Sequence, residues 1–356
     1  MIGLVSILIP NFNKETFIRR TLKSILNQSY TYWECIIVDD GSTDDSWEIL
    51  KSFETKDNRF KIFKRPDYFK KGANSCRNFA LEIASGDYIV WFDSDDLMLE
   101  NALSNRLALI KGNDFIAFQG LQWDLKSNFG LVINNIGGTN TYFSFLFFFP
   151  KWLTPSTIIK KSFLIENNIF WDKDIPFYQD IFYNLSLLSN AKKFEFFQDK
   201  PDWIWVDAQE SMGKQIKKDH GIASQIIFIG ALKIIMDKLN IDPKDQKLVL
   251  LKRMYAVFSQ MQENGNFLNQ EPVNIYLEYM SEKRLLKKIE YFFLKAHLKL
   301  GFTSLKKGNL VLKFLFYRII DWKVSKNVKK YKESFLKDSV LIKDIFSQDF
   351  QNNILG

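Results

Sequence analysis

Short apolar runs in the first hundred residues end abruptly in polar residues. The runs cover residues 4–9, 35–38 and 88–92. The first is followed by a turn that begins at Pro10, and the other two by polar residues that begin at Asp39 and Asp93. Runs of this length, rich in Ile and Val, are typical of buried strands. Between them the apolar residues follow helical spacing, which alternates with the strands and predicts an α/β fold.

The helical spacing is clearest in two intervals. The first helix has one apolar face, formed by Phe17, Ile18, Leu22, Ile25 and Leu26. A second helix is predicted from residue 72 to a stop at Gly86, directly before the strand at residue 88. Strands connected in this way deliver their carboxyl ends to one edge of a sheet, where α/β proteins bind ligands.

Carboxylates collect at that predicted edge. Asp40 follows the second strand, and Asp93, Asp95 and Asp96 follow the third. Oxygen ligands spaced two apart at a strand end suit a hard cation such as Mg²⁺ or Mn²⁺ that also binds substrate phosphates. A solvated turn, with an Asp capping a helix at residues 99–110, is the alternative. Arg77 is placed to reach the same edge and pair with a phosphate.

Four segments together resemble a known family. Pro10-Asn11-Phe12-Asn13, residues 38–44, residues 72–78 and Asp93-Ser94-Asp95-Asp96 occur in this order. The set resembles the nucleotide-sugar half of the inverting family 2 glycosyltransferases of bacterial cell-surface polysaccharides. These enzymes have the GT-A fold, a Rossmann-like nucleotide-diphospho-sugar transferase domain.

The resemblance implies a role for most of these side chains. Pro10 and Phe12 would flank the base, Asp40 would accept a hydrogen bond from a uracil ring, and Arg77 would contact the donor. Asp93 would bind the ribose. Asp95 would hold Mn²⁺ or Mg²⁺ on the diphosphate, where the cation neutralises the charge of the departing group. The net charge of +8 would attract such a donor.

Residues 176–185 resemble the segment that carries the base in this family. The relatives begin a helix there with a Glu-Asp pair, and this chain has Gln179 and Asp180. The resemblance implies that Asp180 deprotonates an acceptor hydroxyl, which attacks the anomeric carbon opposite the departing diphosphate and inverts its configuration. Such a base contributes about 10²–10⁴-fold. A helix N-cap is the alternative for Asp180.

The loop that closes over the donor in relatives is altered here. Val206 stands at the arginine position and Ala208 at the histidine position, and Ser211 is retained as a donor contact. Lys214, Lys217 and Lys218 follow. Their ammonium groups either neutralise the donor phosphates or are simply solvated.

An aromatic segment at residues 141–153 has two open interpretations. It is interrupted by Pro150 and too short to span a bilayer. It is either a core helix or a wall of the acceptor site. Asp96, Trp152 and Gln179 are the candidate acceptor contacts.

Basic charge is concentrated near the C terminus. Residues 283–332 hold fifteen Lys and Arg against two acids, with bulky apolar residues between them. The pattern is typical of helices on anionic membrane surfaces, and equally of packed helices with a solvated basic face. The membrane interpretation suits a lipid-linked glycan acceptor and a cytoplasmic protein, peripheral on the inner face of the cell membrane.

Composition narrows the remaining partners. Cys35 and Cys76 fall in predicted core elements, which favours a reducing cytoplasm over a disulfide framework. With His220 and His297 they lack the spacing of a zinc site. The sequence carries no recognisable nucleic-acid-binding motif, signal peptide or membrane span, so nucleic acid is not an expected partner.

The predicted organisation is a GT-A domain at residues 1–215 followed by a helical C-terminal region at residues 216–356, for which membrane association is one of the two interpretations given above. Residues 1–97 form the nucleotide-sugar half of the domain and residues 98–215 the acceptor half. The predicted function is transfer of a sugar from a nucleotide-diphosphate donor to a hydroxyl of a glycan or lipid-linked oligosaccharide. The resemblance favours a UDP-sugar as the donor, because UDP is the usual nucleotide in this family. A catalytically impaired nucleotide-sugar binding module and a nucleotidyltransferase are the alternatives. An NAD-dependent dehydrogenase would need a Gly-x-Gly-x-x-Gly after the first strand, and the sequence has none there, so this class of enzyme is not expected.

Overall fold

A computed structural model of the chain describes most of residues 3–206 and parts of the rest. The described ranges are 3–124, 129–133, 141–146, 150–175, 178–198, 201–206, 229, 231–247, 249–250, 253, nine positions between 274 and 295, and 339–341. The chain divides into two compact units, residues 1–209 with 334–356 and residues 210–333. The boundary predicted at residue 215 lies outside the described residues.

The first unit alternates strands and helices, as the apolar pattern predicts. Its strands are β1 (Val5–Asn11), β2 (Trp33–Asp39), β3 (Phe60–Lys64), β4 (Tyr88–Trp91), β5 (Leu97–Met98), β6 (Phe115–Phe118), β7 (Gly120–Asp124), β8 (Phe129–Ile133), β9 (Thr157–Lys160), β10 (Phe194–Phe197), β11 (Trp203–Val206) and β12 (Ser339–Leu341). Its helices are α1 (Glu15–Leu26), α2 (Ser46–Lys56), α3 (Ala73–Ile83), α4 (Ala102–Ile110), α5 (Thr141–Leu146), α6 (Lys161–Glu166) and α7 (Gln179–Asn190). In the second unit, residues 231–238 and 243–247 are helical.

The strands form two sheets. The larger has the order β10-β6-β9-β4-β1-β2-β3, and the smaller β12-β8-β7-β11-β5. β1 to β4 run parallel, whereas β9 is antiparallel to β4 and β6. Because β2 and β4 flank β1 on opposite sides, the chain reverses its direction of travel across the sheet at β1. The carboxyl ends of β1 and β4 therefore frame the crevice where such sheets bind ligands.

Burial of both sheet faces explains the continuous apolar runs. Every residue of β1, β2 and β4 is buried. On α1, Ile18, Leu22 and Ile25 pack into the core, but Leu26 is 39% exposed. The prediction for Leu26 was wrong because the last turn of α1 makes its core contact through Ile25.

Gly86 has a different role from the predicted helix stop. α3 already ends at Ile83, and Ala84 is extended. A Cβ atom on Gly86 would lie 2.7 Å from the backbone nitrogen of Ser6 and 2.5 Å from its Oγ. Gly86 is therefore required because the chain passes close to β1.

The C-terminal region is not wholly helical, since β12 pairs antiparallel with β8. Most of the basic segment at residues 283–332 lies outside the described residues. Among the residues that the structure describes, no helix is both long enough and apolar enough to cross a bilayer.

Candidate functional site

The turn after β2 separates the roles of its two carboxylates. Asp39 is buried and accepts hydrogen bonds from Asn11 Nδ2 at 2.9 Å and from the backbone nitrogens of Gly41 and Ser42 at 3.0 and 2.8 Å. Gly41 has φ +86°, which a side chain rarely allows. Asp39 therefore builds the turn, and the neighbouring Asp40 is the one left for ligand contact.

Arg65, which sequence reasoning missed, holds Asp40. Its Nε donates to Asp40 Oδ1 at 2.5 Å, and its Nη1 donates to the carbonyl oxygens of Pro66, at 3.0 Å, and Phe69. Both charged side chains are largely buried. Arg65 thus joins Asp40 to the loop between β3 and α3.

The predicted base-flanking residues lie at the end of β1 beside this pair. Pro10 is buried in β1, and the backbone nitrogen of Asp40 donates to Asn11 O at 2.8 Å. Phe12 is 43% exposed, and Lys71 Nζ lies 4.7 Å from the centre of its ring. An exposed aromatic face beside a buried carboxylate is suited to a planar base.

Arg77 is buried and bonded within the protein, a position that does not favour the contact with a phosphate predicted from the sequence. It is 4% exposed, its Nη2 donates to Asp93 Oδ1 at 2.8 Å, and its guanidinium lies 4.3 Å from the ring centre of Trp171. Nη1 donates to Asn74 Oδ1 at 3.3 Å. Arg77 therefore orients Asp93 from inside the protein, because its buried guanidinium already has these partners.

Asp95 forms an ion pair that the sequence did not reveal. Lys14 Nζ lies 2.7 Å from Asp95 Oδ2. Burial raises the pKa of Asp95, the Lys14 ammonium opposes this, and the negative charge of Asp93 adds to it. The carboxylates of Asp93 and Asp95 are thus close enough to interact electrostatically.

Asp96 is buried at the end of β4. It is 2% exposed, and its Oδ1 accepts from the backbone nitrogen of Val206 at 3.3 Å. Burial, followed by repulsion from Asp95 and Asp93, raises its pKa well above the ordinary value. Asp96 therefore joins the end of β4 to β11, a buried position that does not favour its predicted contact with an acceptor.

The donor set fits a divalent cation that is also bound by a substrate. Asp93 and Asp95 supply hard oxygen ligands with partly exposed side chains. Among the described residues, no group of three His, Cys, Asp or Glu side chains could hold a metal on its own. Mg²⁺ and Mn²⁺ commonly complete such a site with substrate phosphates and water.

Asp180 lies in the first turn of α7, one residue beyond Gln179. The N-cap of this helix is Tyr178, in the left-handed region at φ 56°, so the N-cap alternative for Asp180 was wrong. Burial raises the pKa of Asp180, the charge of Asp93 adds to this, and Arg77 opposes it. Asp180 is thus electrostatically linked to the carboxylate edge.

α7 is held against β4 and α3 by buried aromatic residues. The rings of Trp171 and Tyr183 stack with centroids 4.1 Å apart, and Trp91 Nε1 donates to Tyr183 Oη at 2.8 Å. Because Tyr183 is three residues after Asp180, this stack fixes the turn that carries Asp180. Sequence reasoning found neither Trp171 nor Tyr183.

Two amides of α3 bind the segment that leads into α7, and we call them the amide clamp (Asn74 and Asn78). Asn78 donates to Trp171 O at 2.8 Å and accepts from Trp171 N at 2.9 Å. Asn74 Nδ2 donates to the carbonyl oxygens of Asp172 and Ile175 at 2.7 and 3.0 Å. The clamp lies on the same helix as Arg77.

The aromatic segment belongs to the core where it is described. Trp152 is 1% exposed, donates from Nε1 to Asn184 Oδ1 at 2.8 Å and packs against Phe145. This buried position does not favour its predicted role as an acceptor contact. Pro176, Ala208, Ser211 and the lysines at 214, 217 and 218 lie outside the described residues.

Comparison with known proteins gives consistent matches. Residues 6–164 match the family model described as "Glycosyl transferase family 2". The chain is 35% identical over 261 residues to an Escherichia coli protein named UDP-Glc:alpha-D-GlcNAc-diphosphoundecaprenol beta-1,3-glucosyltransferase WfgD, covering 73% of this chain and 87% of that protein. It is 30% identical over 218 residues to the GalNAc(5)-diNAcBac-PP-undecaprenol beta-1,3-glucosyltransferase of Campylobacter jejuni, covering 60% of this chain and 62% of that protein.

The coverage of curated relatives varies. The match to a glycosyltransferase of Haemophilus influenzae, at 40% identity, spans only 46% of that protein.

Among solved structures, S. aureus TarS 1-349 in complex with UDP-GlcNAc aligns with a TM-score of 0.59 at 19% identity, over 78% of this chain and 80% of that one. The structural likeness concerns the fold.

Proposed function

The chain belongs to the family 2 glycosyltransferases and has their GT-A fold, and on that premise we propose that it transfers a sugar from a UDP-sugar to a hydroxyl of a lipid-linked glycan, with inversion. The observation that carries the proposal is a path of contacts from the end of β4 to α7. Arg77 donates to Asp93 and lies over the ring of Trp171. Trp171 in turn stacks on Tyr183, three residues after Asp180. This path unites a candidate base with a candidate diphosphate site. Family membership decides against the nucleotidyltransferase alternative.

The donor site is built from the carboxyl ends of three parallel strands. Phe12 and Pro10 flank the base, and Asp40, oriented by Arg65, accepts a hydrogen bond from it. Asp93, oriented by Arg77, binds the ribose hydroxyls. Two relatives named for lipid-linked substrates, one of them with UDP-Glc as donor, support the choice of a uridine donor and an undecaprenol-type acceptor.

Asp180 accepts the proton of the acceptor hydroxyl. Burial and Asp93 raise its pKa, which increases its basicity, while Arg77 favours the ionised form. Gln179 lies beside it and supplies an amide for the acceptor in place of the family's glutamate. Asp95, with Asp93 nearby, would hold Mn²⁺ or Mg²⁺, which neutralises charge on the leaving diphosphate.

The same proposal extends to location. An undecaprenol-type acceptor lies in a membrane, so an enzyme acting on it works at that surface. We include in the proposal a cytoplasmic site of action, peripheral on the membrane. We also keep the predicted division into a GT-A domain to residue 215 and a C-terminal region that contributes to membrane contact.

The experiment measures sugar transfer and nucleotide binding separately. Purified protein is assayed with a panel of UDP-, GDP- and dTDP-sugars, with and without Mn²⁺, on an undecaprenyl-diphosphate-linked GlcNAc acceptor. Asp180→Asn is expected to lower kcat by about 10²–10⁴-fold and to leave UDP affinity unchanged. Asp95→Ala should remove the effect of Mn²⁺ on UDP binding.

Asp57→Asn is the matched control, because Asp57 pairs with Arg59 at the amino end of β3, away from the crevice. Asp57→Asn should retain both sugar transfer and the effect of Mn²⁺ on UDP binding. Binding of a UDP-sugar without turnover on any acceptor would favour the catalytically impaired binding module, and full activity of Asp180→Asn would exclude Asp180 as the base.

A further inference from the structure

Two basic side chains already balance the charge of the proposed metal ligand Asp95 and of its neighbour Asp93. Arg77 Nη2 lies 2.8 Å from Asp93 Oδ1, and Lys14 Nζ lies 2.7 Å from Asp95 Oδ2. A divalent cation entering this site must overcome repulsion from both. The two basic groups differ in how easily they can withdraw.

Arg77 is fixed in place. It is 4% exposed, stacks on Trp171 and is bonded to Asn74 as well as to Asp93. Moving it would leave a buried guanidinium without partners, which is costly. Arg77 therefore remains when the site is filled.

Lys14 has a fixed backbone and a partly exposed side chain. Its backbone nitrogen donates to Ser46 Oγ at 2.8 Å, and its carbonyl oxygen accepts from Phe17 and Ile18 at the start of α1. Its side chain is 24% exposed in the ion pair with Asp95. A four-carbon stem on a fixed backbone lets the ammonium leave the carboxylate and return to it.

We propose that Lys14 is a tethered counter-ion that competes with the divalent cation for Asp95, so that the cation binds tightly only together with a nucleotide diphosphate. The inference rests on the proposed function, since it takes the donor diphosphate as the second ligand. Without the donor, Lys14 satisfies Asp95. With the donor, the phosphates add negative charge and oxygen ligands, which favour the divalent cation over the ammonium.

Two consequences separate this role from a purely structural one. Removing the charge of Lys14 should strengthen metal binding in the absence of nucleotide, whereas loss of a structural residue would weaken it. Metal and nucleotide should also become less cooperative, because the competitor that the nucleotide helps to displace is gone.

The experiment measures Mn²⁺ binding by the electron paramagnetic resonance signal of free Mn²⁺, with and without UDP. Without UDP, Lys14→Met is expected to bind Mn²⁺ about tenfold more tightly than the unmodified protein, on the order of one lost partly screened charge interaction. Lys14→Arg should resemble the unmodified protein. UDP should strengthen Mn²⁺ binding less in Lys14→Met than in the unmodified protein.

Lys51→Met is the matched control, because Lys51 pairs with Glu54 on α2 and its substitution removes the same charge. It should leave Mn²⁺ affinity unchanged. Lys14→Gln replaces Lys14→Met if thermal melts show that the latter is unfolded. Equal or weaker Mn²⁺ binding without UDP, including no binding in any variant, overturns the inference. The metal measurement needs no sugar transfer, so a failure of the proposed function is seen separately, in the transfer assay.

Discussion

Arg65 limits which oxygen of Asp40 can accept a hydrogen bond from a base. Arg65 Nε occupies Asp40 Oδ1 and leaves Oδ2 for the ligand. An ionised carboxylate only accepts hydrogen bonds. Under the proposed function, Asp40 therefore needs a donor on the base. Uracil presents a ring N–H at N3, whereas cytosine has an acceptor nitrogen at that ring position.

Substitution of Arg65 tests this selectivity. Arg65→Met is expected to weaken UDP binding about tenfold, or 1.4 kcal/mol, because Asp40 loses the charge-assisted hydrogen bond that orients it. The ratio of UDP to CDP affinity, measured by titration calorimetry, should narrow. Arg59→Met is the control, since Arg59 also pairs with an aspartate, Asp57, but at the amino end of β3, away from the crevice. An unchanged UDP-to-CDP ratio in Arg65→Met would contradict the assignment.

The raised pKa of Asp180 predicts the acid limit of activity. A base must be deprotonated, so kcat should fall as the pH drops through this pKa, which lies above the ordinary aspartate value near 3.9. Arg77 favours the charged form, so Arg77→Met should move this limit to higher pH. The measurement is kcat against pH at saturating donor. A shift to lower pH would argue against Asp180 as the titrating group.

At the scale of elements, local patterns predicted β1, β2, β4 and the helices between them. Each depends on residues close together in the chain, whose periodicity is visible in the sequence. The partners that orient the site are distant: Asn78 and Trp171 are 93 residues apart, and Lys14 and Asp95 are 81 apart. No local pattern connects such residues, which is why the carboxylates and Arg77 were predicted to lie at this edge whereas the contacts of Lys14 and Trp171 were not.

The amide clamp predicts an effect on turnover without one on the donor. Asn78→Ala removes both hydrogen bonds to the Trp171 backbone, and the displaced segment should move α7 and Asp180. We expect kcat to fall on the order of tenfold to a hundredfold, because small displacements of a catalytic group are costly. UDP affinity, measured by calorimetry, should stay within about twofold.

Asn167→Ala serves as the control for this effect, since Asn167 Nδ2 donates to Phe163 O at the end of α6. It should change neither quantity. Equal losses of UDP affinity and kcat in Asn78→Ala would mean that the clamp supports the whole crevice rather than α7.

Across the whole first unit, one buried arginine links the two sheets. Arg106 is fully buried on α4 and bonds Asp202, just before β11, through Nε and Nη2 at 2.7 and 2.8 Å. Its Nη1 and Nη2 also donate to the carbonyl oxygens of Thr157 and Pro155, at 3.2 and 2.8 Å, where β9 begins. The larger and smaller sheets therefore share this guanidinium.

Arg106→Met should lower the free energy of unfolding by about 3–5 kcal/mol, because it leaves Asp202 charged and buried without its partner. Burial already raises the pKa of Asp202, and Arg106 opposes that shift. Arg106→Met with Asp202→Leu should recover part of the loss, and the exposed-pair control Lys51→Met should cost about 1 kcal/mol or less. Urea unfolding measures all three, and additive losses in the double variant would contradict the coupling.

The position of β9 has a consequence for how the chain is made. β1 to β4 come from residues 5–91, but the free edge of β4 pairs with β9, at Tyr88 with Lys160 and Ile89 with Ile159. On a ribosome adding roughly 5–20 residues per second, this edge waits roughly 3–14 seconds for its neighbour. An unpaired apolar strand edge attracts other chains. Newly made protein should therefore need chaperone protection most during the interval between synthesis of β4 and of β9.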